Sequence, residues 1–216
     1  MLENQGVTTQ DKPVRRTERH RQRTRRQMLD AGRSLIAAKG VAGLRIQEIT
    51  ETADVALGSF YNYFESKDEF LEAIITESLS ELAATTVGTA DDTVDPADVV
   101  ALASLRIIRL AYTEPDFARL VANISHADAL FGRALHPYAR EAVERGIASG
   151  RFVVPDIEVL LTAVIGGAFA LIREILDDGH GPHAEQAYAR YCLASLGLTP
   201  DEAAAVVAQV VASEQP

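Results

Sequence analysis

Residues Leu57 to Lys67, LGSFYNYFESK, place four aromatic rings and an asparagine at five successive positions, Phe60 to Phe64. On a helix of about 3.6 residues per turn, Phe60 and Phe64 share one face while Tyr61, Asn62 and Tyr63 fan across the other. Two rings on one side need a core to enter. The stretch therefore demands a short helix pinned from behind by neighbouring helices, with a polar aromatic face turned outward. Such a face can enter a DNA major groove and hydrogen-bond phosphates and base edges. Aromatic helix faces also serve plain core packing, and the residues upstream bear on that choice.

Net charge is −10, which superficially argues against a nucleic-acid partner. Its distribution argues the other way. Residues 1–39 hold ten of the 21 Lys+Arg and four acids (Glu3, Asp11, Glu18, Asp30), net +6, whereas the other 177 residues hold 11 basic and 27 acidic groups, net −16. Lys12, Arg15, Arg16, Arg19, Arg21, Arg23, Arg25 and Arg26 crowd one short segment. A basic arm on an acidic body suits a phosphate backbone, the plainer alternative being a solvated tail.

Residues 1–18 lack apolar periodicity and read as a flexible arm. From Thr17 to Lys39, Met28, Gly32, Leu35, Ile36 and Lys39 recur at helical spacing, with Gly40 as C-cap. Ile46–Ala53 reads as a short helix, Asp54-Val55 as a tight turn, and Leu57–Phe64 as the next helix. Ser66-x-x-Glu69 is a capping box opening a longer helix with Leu71, Ile74, Ile75, Leu79 and Leu82 inward. Two short helices around a turn, flanked by long ones, make a helix-turn-helix unit. After Ala84, TTVGTADDTVDP reads as a linker. Downstream, helices are expected at Ala97–Tyr112, Asp116–Asn123, Ala127–Ser149, Asp156–Asp177, Ala184–Leu196 and Asp201–Ala212, separated by Pro and Gly. The fold class is all-α, with an arm at 1–18, a DNA-binding unit at 19–84 and a second helical domain at 85–216.

With 47% hydrophobic residues the chain can build a real core. No uninterrupted apolar run reaches about 18 residues and no secretory signal opens the chain, so a soluble cytoplasmic protein without a membrane partner is expected. One cysteine, Cys192, leaves no internal disulfide. The five histidines, at 20, 126, 136, 180 and 183, are scattered. His180 and His183 share a turn without further ligands, and no nucleophile–base set exists. No catalytic residue, cofactor or metal site is expected.

At Gly43, Ile49-x-x-x-Ala53-x-Val55, Gly58, Tyr61-x-Tyr63-Phe64, Lys67 and Phe70-Leu71, the chain resembles the TetR (tetracycline-repressor) family over roughly Thr17 to Leu82. The resemblance implies that Arg45 and Gln47 lie near DNA, that Leu57, Gly58, Ser59, Tyr61, Asn62 and Tyr63 form the reading surface, and that Lys67 binds a phosphate. Gly58 allows close backbone approach, Ser59 and Tyr63 can donate to phosphates, Tyr61 can meet bases, and Gln47 can pair with adenine. Three residues depart from the pattern: Arg45 and Ala56 replace hydroxyl caps, and Asp54 replaces a turn glycine. Each lost cap weakens its short helix by about 1 kcal/mol, while Asp tolerates the left-handed conformation better than most residues.

The same resemblance implies an effector cavity and a homodimer in the C-terminal half. Asp156–Asp177 is apolar on two sides, with Gly166, Gly167, Ala168 and Ala170 at its middle, as suits a helix central to its domain or at an interface. Leu161, Ile165, Ala168, Ile172, Tyr188, Tyr191 and Cys192 are the expected dimer interface. Phe117, Asn123, His126, Phe131 and Tyr138 are the candidate ligand contacts, each equally at home in ordinary helix packing. Arg106, Arg109 and Arg119 suit an anionic effector or the balance of an acidic surface. The function expected is a sequence-specific regulator, a repressor released from a palindromic double-stranded operator by a small-molecule effector. The alternatives are an effector-independent activator or architectural DNA-binding protein, and a small all-α enzyme.

Overall fold

The computed structural model describes residues 12–88, 93–124 and 126–214, with side chains from Glu18 onward. Nine α-helices account for most of them, and no strand occurs among the described residues: α1 Lys12–Lys39, α2 Ile46–Thr52, α3 Lys67–Val87, α4 Pro96–Thr113, α5 Pro115–Asn123, α6 Ala127–Ala148, α7 Ile157–Leu176, α8 Ala184–Ser195 and α9 Pro200–Ser213. From α4 on, every boundary lies within one residue of the expected one, because Pro and Gly interrupt the helical pattern so clearly. α1 starts earlier than expected. Residues from Lys12 to Glu18 of the supposed flexible arm are helical, and residues 1–11 lie outside the described residues. The expected linker after Ala84 is shorter at its start, since α3 continues to Val87.

The chain forms two compact units that divide between Leu71 and Glu72, earlier than the boundary after Ala84 that was expected. α3 is the reason. Its first turn belongs to the first unit and the rest to the second, so the boundary falls inside a helix where no break in periodicity marks it.

In the first unit α1 packs on α2, and α2 packs on a 3-10 helix at Leu57–Asn62. Gly40 at φ +70 ends α1, its N–H donating to the carbonyl of Ile36 at 2.8 Å. Asp54 at φ +54 takes the left-handed position after α2, and the N–H groups of Asp54 and Val55 bond back to Glu51 and Thr50 at 3.2 and 2.9 Å. That pattern is a Schellman closure without glycine. Neither Arg45 nor Ala56 makes a side-chain cap bond. Packing holds these short elements instead, with Met28, Leu29, Ile49 and Phe60 at 0% exposure.

In the second unit α4 is central, packing against α5 to α9. Arg151 after α6 pairs with Asp95, the N-cap of α4, at 3.1 Å. A capping box opens α9, with Thr199 and Glu202 each bonded to the other's backbone N–H. α7 is long and apolar enough, at mean hydropathy 2.0, to meet the length and composition of a membrane span, although no uninterrupted apolar run of that length occurs in it. It is instead a member of this bundle, touching α4, α5, α6 and α8.

Candidate nucleic-acid interface and buried cavity

Phe60, Phe64 and Phe70 form a three-ring cluster with centroids 4.9 to 5.4 Å apart, all essentially without solvent exposure. This cluster fixes which way the Leu57–Asn62 segment faces. Tyr61 packs the edge of its ring on Phe60 at 5.5 Å yet stays 60% exposed, and Leu57 is 53% exposed. Gly58 and Asn62 are exposed beside them, and Ser59, Tyr63 and Lys67 are half-buried. A Cβ on Gly58 would meet nothing within 4 Å, so its backbone is open to close approach from outside. The segment is a 3-10 rather than an α-helix. It has no cap at Ala56 and a glycine in its first turn, which suits the tighter i to i+3 bonds seen at Ser59 and Tyr63.

Arg45 and Gln47 are exposed at the start of α2. The Gln47 amide donates to Glu51 at 2.7 Å, so pairing with a base requires it to leave that carboxylate. Lys39 and Glu48 form an ion pair at 2.8 Å joining α1 to α2, and the lysine holds the Glu48 carboxyl below its usual value. Two of the crowded arginines reach this unit in a way their spacing had not suggested. Arg21 lies 5.8 Å from the Tyr63 ring centroid and Arg25 lies 5.4 Å from that of Phe64, both within cation–π range. Arg19, Arg23 and Arg26 line a separate shallow recess on α1. At Lys67, Ser66 caps α3 through the N–H of Glu69 at 3.1 Å, while the Glu69 carboxylate turns to the N–H of Glu65 rather than of Ser66.

The second unit has a half-open, apolar cavity of about 110 Å³ among α3, α4, α6, α7 and α8. Of the five candidate ligand contacts only Tyr138 lines it. Phe131 is buried against Phe169 at 5.5 Å, Phe117 is half-buried elsewhere, and His126 is exposed at φ +56 before α6. Asn123 sits in a small polar recess with Arg119 and Arg173. Leu161, Ile165, Tyr188 and Cys192, expected at a dimer interface, line the cavity within the protomer. Ala168 and Ile172 are likewise buried inside the protomer, at 2% and 3% exposure. Of the expected interface only Tyr191 is open, at 76%. α7 is apolar all round, so periodicity alone cannot tell its inner face from its outer one. The outer face is Val159, Thr162, Ala163, Gly166, Gly167 and Ala170, continued on α8 by Ala187, Tyr191 and Ala194.

The cavity residues had a readable signal. Val100, Ala103, Ser104 and Ile107 on α4, and Leu135, Tyr138, Ala139 and Ala142 on α6, follow helical spacing with small residues where a core prefers large ones. Small side chains on facing helices leave space. The three arginines considered for an anionic effector are engaged elsewhere. Arg106 and Arg109 pair with Glu214 at the end of α9, and Arg119 donates to the carbonyl of Leu176 at 3.0 Å.

Residues 28–74 match the bacterial regulatory proteins of the tetR family, and residues 95–209 match the tetracyclin repressor-like C-terminal domain. The chain belongs to the TetR family. The HTH-type transcriptional repressor DhaR of Mycobacterium sp. (strain GP1) is 37% identical over 68 residues, 32% of this chain and 34% of DhaR. The repressor NemR of Escherichia coli (strain K12) is 40% identical over 52 residues, 24% of this chain and 26% of NemR. These matches thus span about a third or less of the curated relatives. The structure of RolR in complex with the ligand resorcinol is similar over far more: 26% identity, TM-score 0.71, 92% of this chain and 97% of RolR. Ligand-free RolR gives 27% identity and a TM-score of 0.69.

Proposed function

We propose that this TetR-family regulator is a homodimeric, sequence-specific repressor that leaves a palindromic operator when a small molecule fills the α3–α8 cavity. The observation that carries the reading is the division of labour around the Phe60–Phe64–Phe70 cluster. The cluster anchors a short element whose outward residues, Leu57, Gly58, Tyr61 and Asn62, are all exposed. Arg45, Gln47, Ser59, Tyr63 and Lys67 surround that surface in the reading, and the arginines of α1 add sequence-independent attraction to phosphates.

Dimerisation is assigned to the outer face of α7 with Tyr191 of α8. Two such helix pairs related by a two-fold axis make a four-helix bundle. Small residues at Ala163, Gly166 and Ala170 permit close approach, and an exposed apolar face of this length is rare on a monomer. Two reading units then meet half-sites about 34–36 Å apart. Ala83 and Val87 of α3 line the cavity, and α3 runs unbroken back to Lys67. An occupant pressing on Ala83 and Val87 shifts α3, and with it the spacing the duplex demands. The RolR complex with resorcinol supports a small ligand as the effector of this fold. The reading places the protein in the cytoplasm with its DNA.

The test is selection of DNA from a random pool by the full chain, followed by gel shifts. A palindromic consensus bound by dimers is expected. Tyr61→Ala should reduce the preference for that consensus over random DNA by about 1–3 kcal/mol. Equal loss on both DNAs would refute the assignment of Tyr61 to base reading, and absence of any selected consensus would refute the repressor.

A further inference from the structure

Asp, Glu, Lys and Arg make up 24% of the chain, yet none of them, and no histidine, lines the cavity. Its walls are aliphatic apart from Tyr138, Ser195 and one polar seam of Ser104, Tyr188 and Cys192. Ser104 of α4 is buried, and it lines the cavity together with Tyr188 and Cys192 of α8. Tyr188 in turn donates to the backbone carbonyl of Val164 on α7. Burial pushes both the Tyr188 hydroxyl and the Cys192 thiol up, so each keeps its proton. The seam is neutral and offers a ligand hydroxyl both donors and acceptors.

A charged ligand in this cavity would lose its hydration with no counter-charge to replace it. An uncharged ring loses nothing comparable and gains the transfer of its apolar surface. Size limits the ligand as well. The cavity, about 110 Å³, is somewhat smaller than the roughly 150 Å³ apolar cavity that accommodates benzene. One ring matches this space with modest adjustment of the walls, whereas a long acyl chain or fused rings would extend beyond it.

We propose that the effector is an uncharged single-ring molecule bearing a hydroxyl, its ring against Val100, Ile107 and Leu161 and its hydroxyl on the Ser104–Cys192–Tyr188 seam. This inference rests on reading the cavity as the effector site.

Titration calorimetry of the full chain with phenol, toluene and benzoate separates the contributions, since the three share a ring and differ in hydroxyl and charge. Phenol should bind most tightly, toluene more weakly, and benzoate at least a hundredfold more weakly than phenol. Ser104→Ala should weaken phenol by about two- to tenfold, the range of one neutral hydrogen bond, and leave toluene unchanged. Tyr188→Phe is a second variant with the same expected pattern. Benzoate binding within tenfold of phenol, failure of both phenol and toluene to bind, or equal losses for phenol and toluene in both variants would overturn the proposal. Gel shifts of ligand-free protein on its selected DNA, run in parallel, keep the two readings apart. Intact DNA binding with failed calorimetry sinks the ligand class alone, and absent DNA binding sinks the repressor whatever the calorimetry gives.

Discussion

Phe60→Ala is the substitution that most directly tests how the reading surface is built. Phe60 has 0% exposure and touches three rings, with centroids at 5.3 Å for Phe70, 5.4 Å for Phe64 and 5.5 Å for Tyr61. Truncating a buried Phe costs about 3–5 kcal/mol, and ring pairs add about 0.5–1.5 kcal/mol each beyond burial, which puts this site at the upper end. That is comparable with the whole stability of a small domain, about 5–15 kcal/mol. Tyr61→Ala, by contrast, removes a side chain that is 60% exposed and has one edge contact, a loss of about 1 kcal/mol. Because the chain has two units, amide hydrogen exchange at Ile49, Thr50 and Phe64 reads the first unit locally where a global melt would average both. Phe60→Ala should collapse protection at all three amides and abolish DNA binding. Tyr61→Ala should leave protection nearly intact and still weaken discrimination. If Tyr61→Ala destabilised the unit as much as Phe60→Ala, the segment would be rotated from the orientation on which the whole reading surface depends.

Gly166 is exposed on α7 and a Cβ there meets nothing within 4 Å, so Gly166→Arg should preserve or slightly raise helicity while light scattering reports monomers in place of dimers; a variant that stays dimeric would refute the α7 interface. A Cβ on Gly146 would fall 1.9 Å from the Phe152 ring, so Gly146→Ala should lower stability by about 1–3 kcal/mol in denaturant melts, and an unchanged midpoint would mean Phe152 does not pack there. Thr199→Ala removes one arm of the α9 capping box and should cost about 1 kcal/mol at pH 7. The hydrogen bonds from Thr199 hold the Glu202 carboxyl below its usual 4.5, so its stabilisation is present above that pH and lost as pH falls through the lowered value. The difference between wild type and Thr199→Ala should therefore shrink on acidification, and a difference that grew would overturn the cap.

Much of this protein was legible before any coordinates. Helix boundaries after residue 95 were set by Pro115, Gly150, Pro155, Gly197 and Pro200, residues that act locally and need no tertiary context. Asp54 held its left-handed turn because its side chain tolerates positive φ, and Phe60 and Phe64 took the buried face because the Phe64 N–H closes back on the Phe60 carbonyl just past the end of the 3-10 segment, both local patterns. The motif residues near Leu57–Lys67 carried the family for the same reason: local geometry and composition are both written there. Tertiary structure decided what periodicity leaves degenerate. α7 is apolar around its circumference, so only its neighbours α4, α5, α6 and α8 determine that Leu161, Ile165 and Ala168 face inward while Gly166 and Ala163 face out. The cavity is likewise a property of facing helices. A space bounded by Ser104, Ala139, Leu161 and Cys192 arises only when residues distant in sequence are too small to meet, and pairing across the bundle is information no single helix contains.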